Sequence, residues 1–87
     1  MIYRRKLTPS EVDRHFIYID EEHRSMFPPP GKKFDLIVRH QRITVKIDSH
    51  WRIWAASFWD DLPKLEVGDV VIFSKNLNGS LKLEAEK

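Results

Sequence analysis

Leu65-Glu66-Val67-Gly68-Asp69-Val70-Val71-Ile72-Phe73 joins a turn to a strand with nothing between them. Gly68 permits a tight turn, and Asp69 carries a short acceptor that can cap backbone N–H groups ahead of the strand. Val70-Val71-Ile72-Phe73 is apolar throughout, the pattern of a strand with neighbours on both sides. Turns of this kind open strands in many small β-barrels. Downstream, Asn78-Gly79 is a strong hairpin signal because both residues tolerate φ > 0. Leu81 and Leu83 then alternate with Lys82 and Glu84, which predicts a final strand.

Upstream of that turn, short strands continue. Residues 2–7 (IYRRKL) read as a strand and Thr8-Pro9-Ser10-Glu11-Val12 as a turn, in which Thr8 and Ser10 can bond nearby backbone and Pro9 presets φ. Residues 16–19 (FIYI), β-branched and aromatic, predict a strand. Asp20 can cap a short helix with Glu21 and Glu22 in its first turn, and Pro28-Pro29-Pro30 stop it just after Met26 and Phe27. Residues 34–40 (FDLIVRH) form the next strand, 40–42 (HQR) a short connection, and 43–48 (ITVKID) a strand in which Ile43, Val45 and Ile47 alternate with Thr44, Lys46 and Asp48. A turn at 48–50 (DSH) leads into a strand at 51–55 (WRIWA), with Trp51, Ile53 and Ala55 on one side and Arg52 and Trp54 on the other. Residues 55–62 (AASFWDDL) can make two helical turns, since Ala55, Phe58, Trp59 and Leu62 stand at helical spacing, and Pro63 ends them. The sum is about seven short strands and two short helices, a mainly β chain for which barrel closure removes exposed edges. No repeat or linker interrupts residues 1–87, which are expected to form a single domain.

The 87 residues suffice for one core and little more. With no cysteine, disulfides, thiolate metal sites and Cys nucleophiles are excluded, so the core must come from ten aromatics and the Ile, Leu and Val residues. No apolar run approaches the ~20 residues of a membrane span, and MIYRRKLT lacks the apolar segment of a secretory signal; the expectation is an intracellular protein away from membranes. The net charge of +2 is unevenly placed: residues 1–52 hold eleven Lys/Arg against seven Asp/Glu, and residues 53–87 four against six. All the arginines lie in the first part, and the planar arginine fork matches phosphate and guanine edges.

Enzyme signals are weak. Histidines 15, 23, 40 and 50 follow no metal-ligand spacing, Asp60 and Asp61 are adjacent and would diverge on a helix, and no nucleophile elbow or Gly-rich phosphate loop is present. A non-enzymatic protein without cofactor is expected. Trp51 follows a polar turn and can stand exposed, while the other Trp and Phe residues of WRIWAASFW read as core. Two polar segments combine cations with short hydrogen-bonding side chains: residues 4–15, with Arg4, Arg5, Lys6, Thr8, Ser10, Glu11, Arg14 and His15, and residues 46–52, with Lys46, Asp48, Ser49, His50, Trp51 and Arg52. Cations hold phosphates and set register, whereas Ser, Asp, His and Arg reach base edges. As solvated loops the two segments need no partner; projecting from one side of a barrel they would grip duplex DNA between them. A protein- or ligand-interaction module on the same fold is the alternative, marked by an apolar patch near Trp51 or Trp54, with single-strand stacking on Trp51 and Tyr3 as a variant.

The order of these pieces resembles the plant B-three domain, the DNA-binding pseudobarrel of auxin-response and related transcription factors, and the related DNA-recognition domains of some restriction endonucleases. The residues that carry the resemblance are Lys6-Leu7-Thr8-Pro9-Ser10-Glu11-Val12, the strand FIYI, the helix DEEHRSMF before Pro28, Trp51-Arg52, the helix around Phe58-Trp59, and the stretch 65–73. It implies a seven-stranded open pseudobarrel with two short helices, holding double-stranded DNA in the major groove between two arms. The resemblance places the N-arm on Arg5, Lys6, Thr8, Ser10, Glu11, Arg14 and His15, and the C-arm on Lys46, Asp48, Ser49, His50, Trp51 and Arg52. The C-arm is clipped and the chain shorter than the plant domains, which suits a restriction-system version, with a nuclease or other effector as partner and a monomer as the working state. On this reading Arg5, Lys6, Arg14, Lys46 and Arg52 mainly neutralise phosphates, and Ser10, Asp48, Ser49 and His50 read sequence.

Overall fold

The computed structural model describes residues 1–86. Among these residues there are seven strands: β1 (Ile2–Lys6), β2 (Phe16–Tyr18), β3 (Phe34–Val38), β4 (Gln41–Val45), β5 (Arg52–Trp54), β6 (Val70–Lys75) and β7 (Leu81–Ala85). They form a five-stranded sheet in the order β1-β6-β7-β3-β4 and a two-stranded sheet of β2 and β5. All pairs are antiparallel except β3 with β7. This is the mainly β, open pseudobarrel expected, two sheets curled around one core without full closure.

The stretch 65–73 builds the framework as its residues require. Gly68 takes φ +91, which its neighbours could adopt only with strain. Asp69 closes the turn by accepting from the Glu66 N–H at 2.7 Å. The turn is tied to the end of β1 by Leu7 N–H to Asp69 C=O and Gly68 N–H to Leu7 C=O. β6 is therefore delivered beside β1, with Tyr3 opposite Phe73. Those two rings stack at 5.9 Å, and Phe27 meets Phe73 edge-on at 5.2 Å. Ile17, Ile19, Leu36, Val38, Ile47, Ile53 and Phe58 fill the rest of the core, each buried apolar side chain contributing ~1.5–3 kcal/mol. The Tyr3 hydroxyl donates to Tyr18 C=O and accepts from Asp20 N–H, so its fully buried ring carries a satisfied polar end. Burial pushes its pKa up to about 12, and it offers no exposed stacking platform for a nucleotide.

Three local readings are corrected. Thr8–Val12 is not a turn: α1 (Pro9–Arg14) starts there, with Thr8 as N-cap and Pro9 inside the first turn. The helices anticipated after Asp20 and around Phe58 are 3₁₀ segments, Glu21–Met26 and Trp59–Asp61, the second a single turn where two were expected. The β3–β4 connection is Arg39–His40, both at positive φ, and β4 starts at Gln41. Sheet pairing on both flanks of β3 holds these two residues in a conformation usually left to Asn or Gly.

Candidate nucleic-acid interface

β2 and β5 bring the two polar segments together. Phe16 faces Trp54, Ile17 faces Ile53 and Tyr18 faces Arg52 across the pair. Strand alternation sends Ile17 and Ile53 into the core and turns Phe16, Tyr18, Arg52 and Trp54 to the other side. Backbone bonds from Ala55 N–H to His15 C=O and from Ile19 N–H to Trp51 C=O fix the two ends of the ribbon. Over it lies an open cleft of about 550 Å³, lined by Arg5, Thr8 and Glu11 from one segment, His50 and Arg52 from the other, and Phe16 and Tyr18.

The first segment is organised by Glu11. Its carboxylate is 1% exposed and accepts from Thr8 N–H, Thr8 Oγ1, Arg5 and Tyr18 N–H. Thr8 and Glu11 thereby form a capping box, and β1, α1 and β2 are tied at one point. Burial would lower the Arg5 pKa, but the bond to Glu11 outweighs it and the guanidinium is held more firmly charged than usual. Arg5 also lies over the Tyr18 ring at 5.3 Å.

The second segment is organised by Asp48. One oxygen accepts from the backbone N–H groups of His50 and Arg52, the other from Arg52 Nε and Trp54 Nε1. Burial would raise its pKa, but the indole, the two backbone N–H groups and the guanidinium together hold it below the usual carboxylate range. The Arg52 guanidinium sits over Trp54 at 5.0 Å and Phe16 at 5.7 Å. Trp51 ends the turn at φ +60, held by its N–H to Asp48 C=O and by Arg24, whose guanidinium lies 4.8 Å from its ring.

The fourteen candidate residues separate clearly. Arg5, Thr8, Glu11, His50 and Arg52 line the cleft. Glu11 is buried with its oxygens engaged and cannot reach a ligand; it is a fold residue. Asp48 likewise has both oxygens filled, one by the His50 and Arg52 N–H groups and the other by Arg52 Nε and the Trp54 indole, which leaves no acceptor for a base edge. Arg4 points to the opposite face of β1 from Arg5, where it pairs with Glu86. His15 caps α1 at φ 60 and stacks on Trp59 at 4.7 Å, away from the cleft. Trp51 is half-buried under Arg24 and does not stand free. Ser10, Arg14, Lys46 and Ser49 are exposed on the two segments, and the exposed Lys6 runs past Gly68.

No family model matches the chain, and no curated protein sequence matches it. Solved structures do. The N-terminal domain of Helicobacter pylori LlaJI.R1 is similar with a TM-score of 0.70 at 15% identity, over 98% of this chain and 86% of that one. The Arabidopsis FUS3–DNA complex is similar with a TM-score of 0.68 at 14% identity, over 98% of this chain and 95% of that one. The chain has the B-three pseudobarrel fold.

Within this B-three fold, sequence reasoning missed Tyr18, Arg24 and Trp54. Arg24 donates to the Tyr18 hydroxyl at 2.9 Å and to Ile19 C=O, which extends the cationic face from Arg5 through Tyr18 to Trp51. The period-two pattern of FIYI could have revealed Tyr18, because Ile17 and Ile19 must point inward together. Nothing local to Arg24 signals its contact with Trp51.

Proposed function

We propose that the protein is a non-catalytic double-stranded DNA-binding domain whose two arms engage the major groove in a sequence-dependent manner. The observation that carries this reading is the cleft itself: Arg5 and Arg52, far apart in the chain, line one open surface between two polar segments. The fold likeness to FUS3, solved as a complex with DNA, supports it. Lys6, Arg14 and Lys46 are exposed, form no ion pair among the described residues, and suit phosphate contact from both arms. Arg5 and Arg24 add charge along the ribbon. Ser10, Ser49 and His50 are the exposed hydrogen-bonding groups that reach bases. Trp54, where an interaction module would place its apolar patch, is 44% exposed, but Arg52 lies across it and Asp48 binds its indole.

An NMR titration with random-sequence duplex DNA at low salt tests the reading. Shifts confined to the two arms and the β2–β5 ribbon are expected, with a Kd of about 10⁻⁴–10⁻⁶ M for non-specific duplex. With roughly five to six phosphates engaged, affinity falls ~10³-fold between about 50 and 200 mM salt. Shifts centred on the β3–β4 or β6–β7 turns, no shifts, or salt-independent binding would remove it.

A further inference from the structure

We infer that Arg52 reads a guanine base rather than neutralising a phosphate, an inference that rests on the duplex-binding reading above. Arg5 and Arg52 line the cleft and Arg24 stands beside it on Tyr18, and the nitrogens of the three are used differently. Arg5 gives Nε and a terminal nitrogen to Glu11. Arg24 gives Nε to Ile19 C=O and a terminal nitrogen to the Tyr18 hydroxyl. Arg52 gives only Nε, to Asp48 at 2.9 Å. Both of its terminal nitrogens have no hydrogen-bond partner among the described residues, and the side chain lines the open cleft.

Three groups hold that fork: Asp48, Trp54 and Phe16. Asp48 holds Nε, and the same carboxylate oxygen receives the Trp54 indole N–H at 2.8 Å. The ring beneath the guanidinium is therefore locked to the acceptor that locks the guanidinium. Phe16 supports it from β2, and the other Asp48 oxygen fixes the Arg52 backbone N–H. Phosphate contact needs none of this, since a mobile cation on a flexible stem serves, and the adjacent Asp48 charge weakens attraction to a phosphate. A fixed planar pair of donors suits an acceptor of fixed planar geometry, and in the major groove that is guanine N7 with O6. Asp48 is then a positioning residue, its own acceptors being full.

The test is selection of bound sites from a random duplex library by the wild-type chain and by Arg52→Ala, Arg52→Lys and Asp48→Asn. The wild type should enrich a site with a fixed guanine. Arg52→Ala and Arg52→Lys should relax that one position, leave the other positions enriched, and weaken binding to the site by roughly 5–150-fold. Asp48→Asn, which keeps the turn's acceptor oxygen, should relax the same position less. Placing 7-deazaguanine there should weaken the wild type and leave Arg52→Ala unaffected. Thermal melts confirm that the variants fold, and the lysine variant retains the charge. If Arg52→Ala weakens all duplexes alike and lowers the salt slope by about one with the site unchanged, Arg52 is a phosphate contact and the inference fails while duplex binding stands. A wild type that enriches nothing and binds no duplex removes both.

Discussion

Glu11 in the N-arm is 1% exposed and binds Arg5 through two of its nitrogens; Asp48 in the C-arm has a side chain 26% exposed and binds Arg52 through one. Both sites join a carboxylate, an arginine and an aromatic ring, Tyr18 in one and Trp54 in the other. Burial decides what each can do. A carboxylate removed from water must have all its acceptors filled, so two Arg5 nitrogens are committed to it at the wall of the cleft and the pair becomes part of the fold. A carboxylate at the rim tolerates a partner whose remaining nitrogens face solvent, so the same three groups there orient a donor.

The largest test of this contrast is Glu11→Ala. It leaves the Tyr18 and Thr8 N–H groups without their acceptor and Arg5 without its partner. Breaking a buried pair in this way costs about 3–5 kcal/mol, a large part of the ~5–15 kcal/mol that a domain has. The melting temperature should fall by more than ~10 °C. Asp48→Ala, at a wetter site, should cost only about 1–2 kcal/mol. Equal losses in paired urea and thermal melts would mean that the C-arm turn is as much a part of the fold as the N-arm, and the contrast would be gone.

The framework of this contrast was open to reading from residues alone; its two centres were less so. Gly68-Asp69 before an apolar run can hardly be other than a turn into a strand, and the alternation in 43–47 and 51–55 follows from sheets with one wet face. Thr8-Pro9-Ser10-Glu11 is more equivocal, because Pro and short hydroxyls serve a turn and a helix start equally well. Glu three residues after Thr is the capping-box signature, yet what buries that Glu is Arg5 and the Tyr18 N–H, which arrive only when β1 and β2 pack. Arg39–His40 carries no Gly or Asn to announce its positive φ, since strand pairing imposes it. In the same way the cleft was legible as two polar segments, but not how many nitrogens each arginine commits to the fold.

Acid and alkali separate the two regions next. Asp48 has a folded pKa below its ordinary value, so its contribution is present above the unfolded value near 4 and is lost as pH falls through the depressed one. Asp48→Asn should flatten that part of the acid limb. Tyr3, which holds Tyr18 C=O from inside the N-arm region, has its pKa raised to about 12, so the contribution is present below pH 10 and is lost as pH rises toward 12. That loss is on the order of 2 kcal/mol at ~1.4 kcal/mol per unit. Urea melts across pH 2–12 on the wild type, Asp48→Asn and Tyr3→Phe check both limbs. An acid limb unchanged in Asp48→Asn would mean that the C-arm carboxylate does not couple to folding.

The smallest expected change, and the most selective, is Trp54→Phe. The substitution keeps an aromatic face beneath Arg52 and removes one N–H, the indole donor to Asp48 Oδ2. At a position 44% exposed, loss of that bond should change stability by no more than ~1 kcal/mol. The carboxylate should respond more clearly than the fold. The indole bond leads the groups that lower the Asp48 pKa against burial, so in Trp54→Phe that pKa should rise toward the ordinary value. Side-chain carboxyl NMR through an acid titration reads this directly, and exchange of the Arg52 Nε–H reports whether the guanidinium has loosened with it. A fixed Asp48 titration and a still-protected Nε–H would make the indole a bystander. The orientation of Arg52 would then depend on Asp48 and the stacked rings alone, and the C-arm would match the N-arm more closely, each with one carboxylate holding one arginine over an aromatic face.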